Sequence, residues 1–273
     1  VRSELKKLLE NEPDKYREFF KSFGLQLKFG IVSSYGTARD TLADLLMFHS
    51  AMHDKLITLD EYVSAMPDSQ KYIYYACGDT AEHIARLPQA DAVREKGFDI
   101  LFFTDEVDEF VAKTLVRHKE KEFRSLTSDD LGLVSEEEKK AAQEMEEKNQ
   151  ALLDFVKETL KDKIAAAKIS QTLRSQPVCL TTQGPVSLEM ERYYQTRSAG
   201  GELLPMFKAQ RVLEFNPGHP AFQALQSAYE RDKAQAEKYV RLLYDLSLLM
   251  VGLPPEDPAF FSEQVSGLMA QAK

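Results

Sequence analysis

The sequence has no tryptophan, only two cysteines, and no apolar run near the roughly 18 residues that a membrane-spanning helix needs. Cys77 and Cys179 sit singly in apolar runs and make no disulfide or metal spacing, which fits a reducing, cytoplasmic compartment. Basic residues are outnumbered, 35 Lys and Arg against 44 Asp and Glu, for a net charge of -9. Phosphate binding needs clustered cations, so nucleic acid is not expected as a partner, and without a membrane-length apolar run neither is a membrane. The phosphate cradles G-x-x-x-x-G-K-[ST] and G-x-G-x-x-G are absent, as is the G-x-S-x-G nucleophile elbow. No signal-peptide pattern or initiating Met is present. The chain opens on a charged helical pattern, RSELKKLLE, and is expected to be cut from a longer protein.

What is there describes a globular protein. The 273 residues are 43% hydrophobic and 29% charged, enough for one large domain or two ordinary ones. Residues 1–58 read as a helical coil. Leu5, Leu8 and Leu9 make one short helix; Tyr16, Phe19, Phe20 and Phe23 make a second that stops at Gly24. Leu42, Leu45, Leu46 and Phe48 make a third over 37–48. Residues 59–128 read as a small α/β/α layer. A β-rich run (KYIYYAC), two short helices around Pro88 and a second strand (FDILFF) form a βαβ crossover. A helix capped by Asp105 follows, with an edge strand over 122–126.

From 129 the sequence reads as a second, α+β domain. Ser135 and Glu138 form a capping box that starts a long helix to about 161. Strands are expected over 164–173, 177–180 and 211–215, with a polar loop over 181–185. After 186, Val186, Met190, Tyr193 and Tyr194 recur at i, i+4, i+7 and i+8, on one face of a helix. Such a stripe suits a core; Met and Tyr equally suit an adaptable binding surface. On spacing alone both readings stay open.

The last two helices are apolar over wide faces. Tyr239, Leu242, Leu243, Leu246, Leu249 and Met250 line one, and Phe260, Phe261, Val265, Leu268 and Met269 line the other. Two short helices cannot bury both faces against each other, and each buried apolar side chain is worth about 1.5–3 kcal/mol. A second copy would solve this by completing a two-fold four-helix bundle, so a homodimer is expected. Packing on the domain's own sheet is the alternative.

Residues that could carry chemistry are few. His49 and His53 (HSAMH) have zinc-helix spacing at a helix end, but Ser50 and Ala51 replace the general base of H-E-x-x-H. Cys77 with His83, or Cys179 with His219, lacks local support as a thiol–imidazole pair. Asp105 and Glu109 suit a helix N-terminus before acid–base work. No catalytic, cofactor or metal residues are expected.

The strings KYIYYACGD, EKGFDILFFTDEVDEF, QTLRSQPVCLTT, MERYYQ and LEFNPGHP occur in an order that resembles the heat-shock protein 90 chaperone family, and within it the bacterial high-temperature protein G type. The resemblance covers essentially the whole chain. It implies that residues 1–128 are the later part of a middle domain and 129–273 a C-terminal dimerisation domain. It further implies a stress-response chaperone whose clients are partly folded proteins, bound at Phe110, Val186, Met190, Tyr193 and Tyr194. ATP and Mg are implied for the full-length protein, not for these residues. A purely structural dimerisation scaffold is the alternative.

Overall fold

The computed structural model describes residues 1–198 and 203–271. They form thirteen α-helices and nine strands, in two units. The first comprises Val1–Arg86, Val93–Leu126 and the described part of Arg192–Glu202; the second comprises Leu87–Ala92, Thr127–Glu191 and the described part of Leu203–Lys273.

The first unit begins with α1 (Arg2–Asn11) and α2 (Pro13–Ser33), which starts on a proline at its first turn. Gly24 does not end α2, contrary to the expectation. A Cβ there would lie 2.5 Å from the Phe20 ring, so glycine lets that ring fold back across its own helix. The expected third helix is also corrected. Only α3 (Arg39–Leu42) and a 3-10 turn (Ala43–Leu45) form, and the chain then extends as β1 (Met47–Ser50) and returns as β2 (Lys55–Thr58). The run LADLLMF is apolar but for Asp44, and periodicity cannot separate helix from buried strand in so short and dense a run. Thr58 caps α4 (Leu59–Ala65) in a full capping box with Glu61.

β3 (Tyr72–Cys77), α5 (Ala81–Ala85), α6 (Pro88–Glu95) and β4 (Leu101–Phe103) give the expected crossover, with β3 and β4 parallel. α7 (Asp108–Leu115) follows, then β5 (Arg117–His118) and β6 (Lys121–Ser125). The sheet has six strands in the order β2-β1-β4-β3-β6-β5. β6 therefore lies inside β5 rather than at the edge. Aromatic side chains fill the core: Phe103 lies 4.5 Å from Tyr75 and 4.6 Å from Phe48, ring centre to ring centre.

α7 does not take Asp105 as its cap. It begins at Asp108, whose carboxylate accepts the Asp105 backbone N–H at 3.1 Å. Both acids turn to Lys28, a buried cation on α2. Its Nζ lies 2.7 Å from Asp108 and 2.8 Å from Asp105, with the Phe48 ring centre 4.8 Å away. One buried ammonium thus holds α7 to α2.

The second unit carries α8 (Glu136–Lys148), started by the expected Ser135–Glu138 capping box, and α9 (Gln150–Leu160). One long helix was expected; Asn149 divides it. Its Nδ2 donates to the Met145 carbonyl at 2.8 Å, and Asn side chains compete in this way for helix backbone groups. β7 (Ala166–Ile169), β8 (Val178–Gln183), α10 (Leu188–Arg197) and β9 (Gln210–Phe215) come next. β9 is central, parallel to β7 and antiparallel to β8. The expected polar loop from 181 is instead strand as far as Gln183. Thr181 and Thr182 pair with Val212 and Arg211, since β-branched threonines fit a pleated sheet despite their polarity. α11 (Pro220–Arg231), α12 (Lys233–Met250) and α13 (Pro258–Gln271) close the unit.

Burial raises the Asp108 carboxyl to about 6, against the pull of Lys28. A carboxyl raised on folding binds more protons in the folded state, so its contribution to stability is lost as pH rises through about 4 to 6. Relative to Asp108→Asn, the native chain should therefore gain about 1 kcal/mol of stability between pH 7 and pH 5. Urea unfolding of both proteins at the two pH values checks this.

Candidate functional site

In the first unit, Val111, Ala112 and Leu115 of α7 are buried, while Phe110 is half-buried. The second half of α10, from Arg192, belongs to the same unit and brings Tyr193 and Tyr194 to Phe110. Ring centres lie 4.6 Å apart for Phe110–Tyr193, 6.1 Å for Phe110–Tyr194 and 5.8 Å for the tyrosine pair. The steep interplanar angles, 60° to 82°, set ring edges against ring faces. The Arg197 guanidinium covers Tyr193 at 3.7 Å and reaches Glu106 at 3.4 Å, and Arg192 reaches Asp79 at 3.4 Å. Three aromatic residues proposed from separate stretches thus form one cluster, rimmed by ion pairs.

Val186 and Met190 fall in the second unit and are also half-buried. Val186 is not on the helix, correcting the four-residue stripe: α10 starts at Leu188, with the Ser187 hydroxyl accepting the Met190 N–H at 3.2 Å. Leu188, 4% exposed, is the buried residue of α10.

A polar chain anchors the first half of α10. Glu191 accepts from Arg211 of β9 at 3.0 Å and from the Ala209 N–H at 2.8 Å. Arg211 also donates to the Tyr244 hydroxyl of α12 at 2.8 Å, and that hydroxyl donates to Glu256 at 3.3 Å. Lys163 pairs with Glu256. Burial pushes the Tyr244 phenol up to about 12, so it stays a neutral donor. Sequence reading missed this network; its members lie up to 93 positions apart and carry no local signal.

The terminal helices divide sharply. α12 packs on β8, α9 and α11. This buries Leu242 and Leu243, which therefore belong at least partly to the unit's own core. Leu249 is 43% exposed, Leu268 38% and Met269 73%. Tyr239, Leu246, Met250, Phe260, Phe261 and Val265 are half-buried. No residue of α13 from Pro258 to Ala270 is buried, although its sequence is PAFFSEQVSGLMAQ.

The histidine and cysteine candidates are corrected or redirected. His49 lies on β1, stacked on Phe102, and His53 lies in the following turn, so the helical spacing is not realised. Cys77 hydrogen-bonds Glu109 at 3.4 Å, and His219 caps α11 through Nδ1. Burial, with the charge of Glu214, pushes the Cys179 thiol well up. Metal-type donors of Asp44, Asp60 and His118 come within 4.8 Å of one another in the first unit. Asp60 already pairs there with Lys119 at 2.8 Å and hydrogen-bonds the His118 ring at 2.6 Å.

The sequence model of the Hsp90 protein family matches residues 2–273. The chain belongs to the Hsp90 family. It is 45% identical over 269 residues to chaperone protein HtpG of Bacillus subtilis (strain 168), covering 98% of this chain and 42% of that protein. The HtpG of Clostridium acetobutylicum gives the same identity and coverage. That of Halalkalibacterium halodurans is 43% identical over 270 residues, with 99% and 42% covered. The chain thus spans about two fifths of the length of these relatives. Among the described residues, no helix is long and apolar enough to cross a membrane.

The anchoring of α10 in this Hsp90 family member can be tested directly. Arg211→Met leaves two partly buried groups without their partner and should lower unfolding free energy by about 3 kcal/mol. Glu191→Gln keeps one acceptor and should lower it by about 1 kcal/mol. Urea unfolding followed by far-ultraviolet circular dichroism measures both.

Proposed function

We propose that this chain is the later middle-domain and C-terminal portion of a bacterial-type Hsp90 chaperone, which dimerises and binds partly folded client proteins. Residues 1–128 are the middle-domain portion and 129–273 the dimerisation domain. The observation that carries the reading is α13, an apolar helix with no buried residue from Pro258 to Ala270. With the exposed Leu249 of α12, its Leu268 and Met269 supply a surface that a second copy would cover. Half-buried Phe110, Tyr193, Tyr194, Met190 and Val186 are the client contacts. Soft and aromatic groups bind varied apolar segments, and the surrounding ion pairs keep such a surface soluble. Each contact is weak because a flexible client loses entropy on ordering; two copies recover part of that by avidity.

ATP and Mg belong, on this reading, to the longer family protein in the cytoplasm. The residues present are not expected to hold the nucleotide. Phosphate-cradle motifs are absent, and a roomy surface cleft of the first unit, about 590 Å³, mixes Asp14, Glu18 and Asp54 with Lys15, Arg17 and Lys21. A dimerisation scaffold without client binding is the second reading, favoured by how far the three aromatic rings already satisfy one another.

Light scattering at tens of micromolar, a concentration on the order of ordinary dimer constants, should give twice the 31.0 kDa chain mass. Leu249→Glu with Met269→Glu should return it to one chain mass with an unchanged circular dichroism spectrum. An unchanged mass places the seam elsewhere. For clients, Met190→Ser with Tyr194→Ser should weaken binding of an unfolded protein about tenfold, within the range of interface hot spots. If the native chain neither binds unfolded protein nor suppresses aggregation, the scaffold reading replaces this one.

A further inference from the structure

The second unit contains a cavity of about 70 Å³, lined by residues 128–134 and by side chains of the three-stranded sheet. That volume would take an ion with a water or two, at about 30 Å³ per water. Gln89, 1% exposed, reaches its wall. The Gln89 Nε2 donates to the Leu180 carbonyl at 3.1 Å. A carbonyl only accepts, so the amide orientation is fixed and the buried Oε1 is left without a protein partner. Glu214, 7% exposed, accepts from the Ser170 and Thr181 hydroxyls, each at 2.8 Å. A carboxylate has about four acceptor sites, so these two bonds leave capacity to spare. Asp129, Asp130 and Glu146 complete an acidic lining that Lys168, 3.3 Å from Asp129, offsets only in part. Burial raises the Glu214 carboxyl above its ordinary range, which a cation beside it would reverse.

We propose that this cavity is a site for one hard cation, Ca²⁺, held by Gln89 Oε1 and the carboxylates of Glu214 and Asp129. The buried amide oxygen without a partner is the observation that sets it apart from a surface cluster of acids. The named donors are all oxygen, which disfavours zinc and copper. Ca²⁺ accepts an irregular set of amide and carboxylate oxygens, whereas Mg²⁺ demands near-octahedral geometry and sheds water reluctantly. Lys168 would shift from Asp129 as the ion enters.

Equilibrium dialysis of the whole chain against radioactive Ca²⁺, in chelator-treated buffer, tests the site. The expected result is one Ca²⁺ per chain, with a dissociation constant between about 10⁻⁵ and 10⁻³ M, not displaced by equimolar Mg²⁺. Glu214→Gln should weaken binding at least about tenfold. Asp129→Asn, at a less buried side chain, should do the same with no threat to folding, and Glu136→Gln on the solvated face of α8 should change nothing. Absence of stoichiometric binding up to about 5 mM would mean that the cavity takes water only, and would overturn the proposal. So would binding that survives both site variants, or that Mg²⁺ displaces equally well.

Discussion

An apolar helix with no core of its own is the constraint around which the second unit is arranged. α12 spends its inner face on β8, α9 and α11, leaving Leu249 outward. α13 follows with Phe260, Phe261, Val265, Leu268 and Met269, and buries none of them fully. Within one chain that surface stays in contact with water, at an unfavourable free energy of the order of 25 cal/mol for each apolar Å². Self-association would remove the cost without any change of fold.

Polar anchoring supplies what apolar packing does not. Lys28 draws Asp105 and Asp108 onto α2, which fixes the start of α7 and hence the position of Phe110 two residues later. Arg211 does the corresponding work for α10, gripping Glu191 on one side and Tyr244 on the other. Breaking such buried pairs is destabilising because it strands a charge, so they hold orientation more than they add stability. In both cases a soft aromatic contact sits within two residues of a buried ion pair. The sticky side chains are half-buried, on helices held by these polar contacts.

Much of this was legible in the sequence, and the failures have physical causes. The crossover from β3 to β4, the Ser135 capping box and the last two helices each announce themselves through local chemistry. LADLLMF did not, because a short run that is apolar but for Asp44 has too little period to read. Gly24 looked like a stop, yet its missing Cβ serves the packing of Phe20. Thr181 and Thr182 looked like loop, yet they continue β8 against β9. The aromatic cluster was legible as residues but not as a cluster. Spacing gave Tyr193 and Tyr194 a common stripe, and only the fold brings Phe110 to them. The Glu191–Arg211–Tyr244–Glu256 network left no sequence signal, since hydrogen bonds between distant positions impose no period.

Whether the aromatic surface, and not the terminal helices, receives unfolded protein decides the proposed function. Amide hydrogen exchange with and without a permanently unfolded protein addresses this most directly. The expected result is added protection in the peptides carrying Phe110 and Met190 to Tyr194, with α12 and α13 unchanged. Protection appearing on α13 instead, or no change at either aromatic stretch while the unfolded protein is bound, would contradict it.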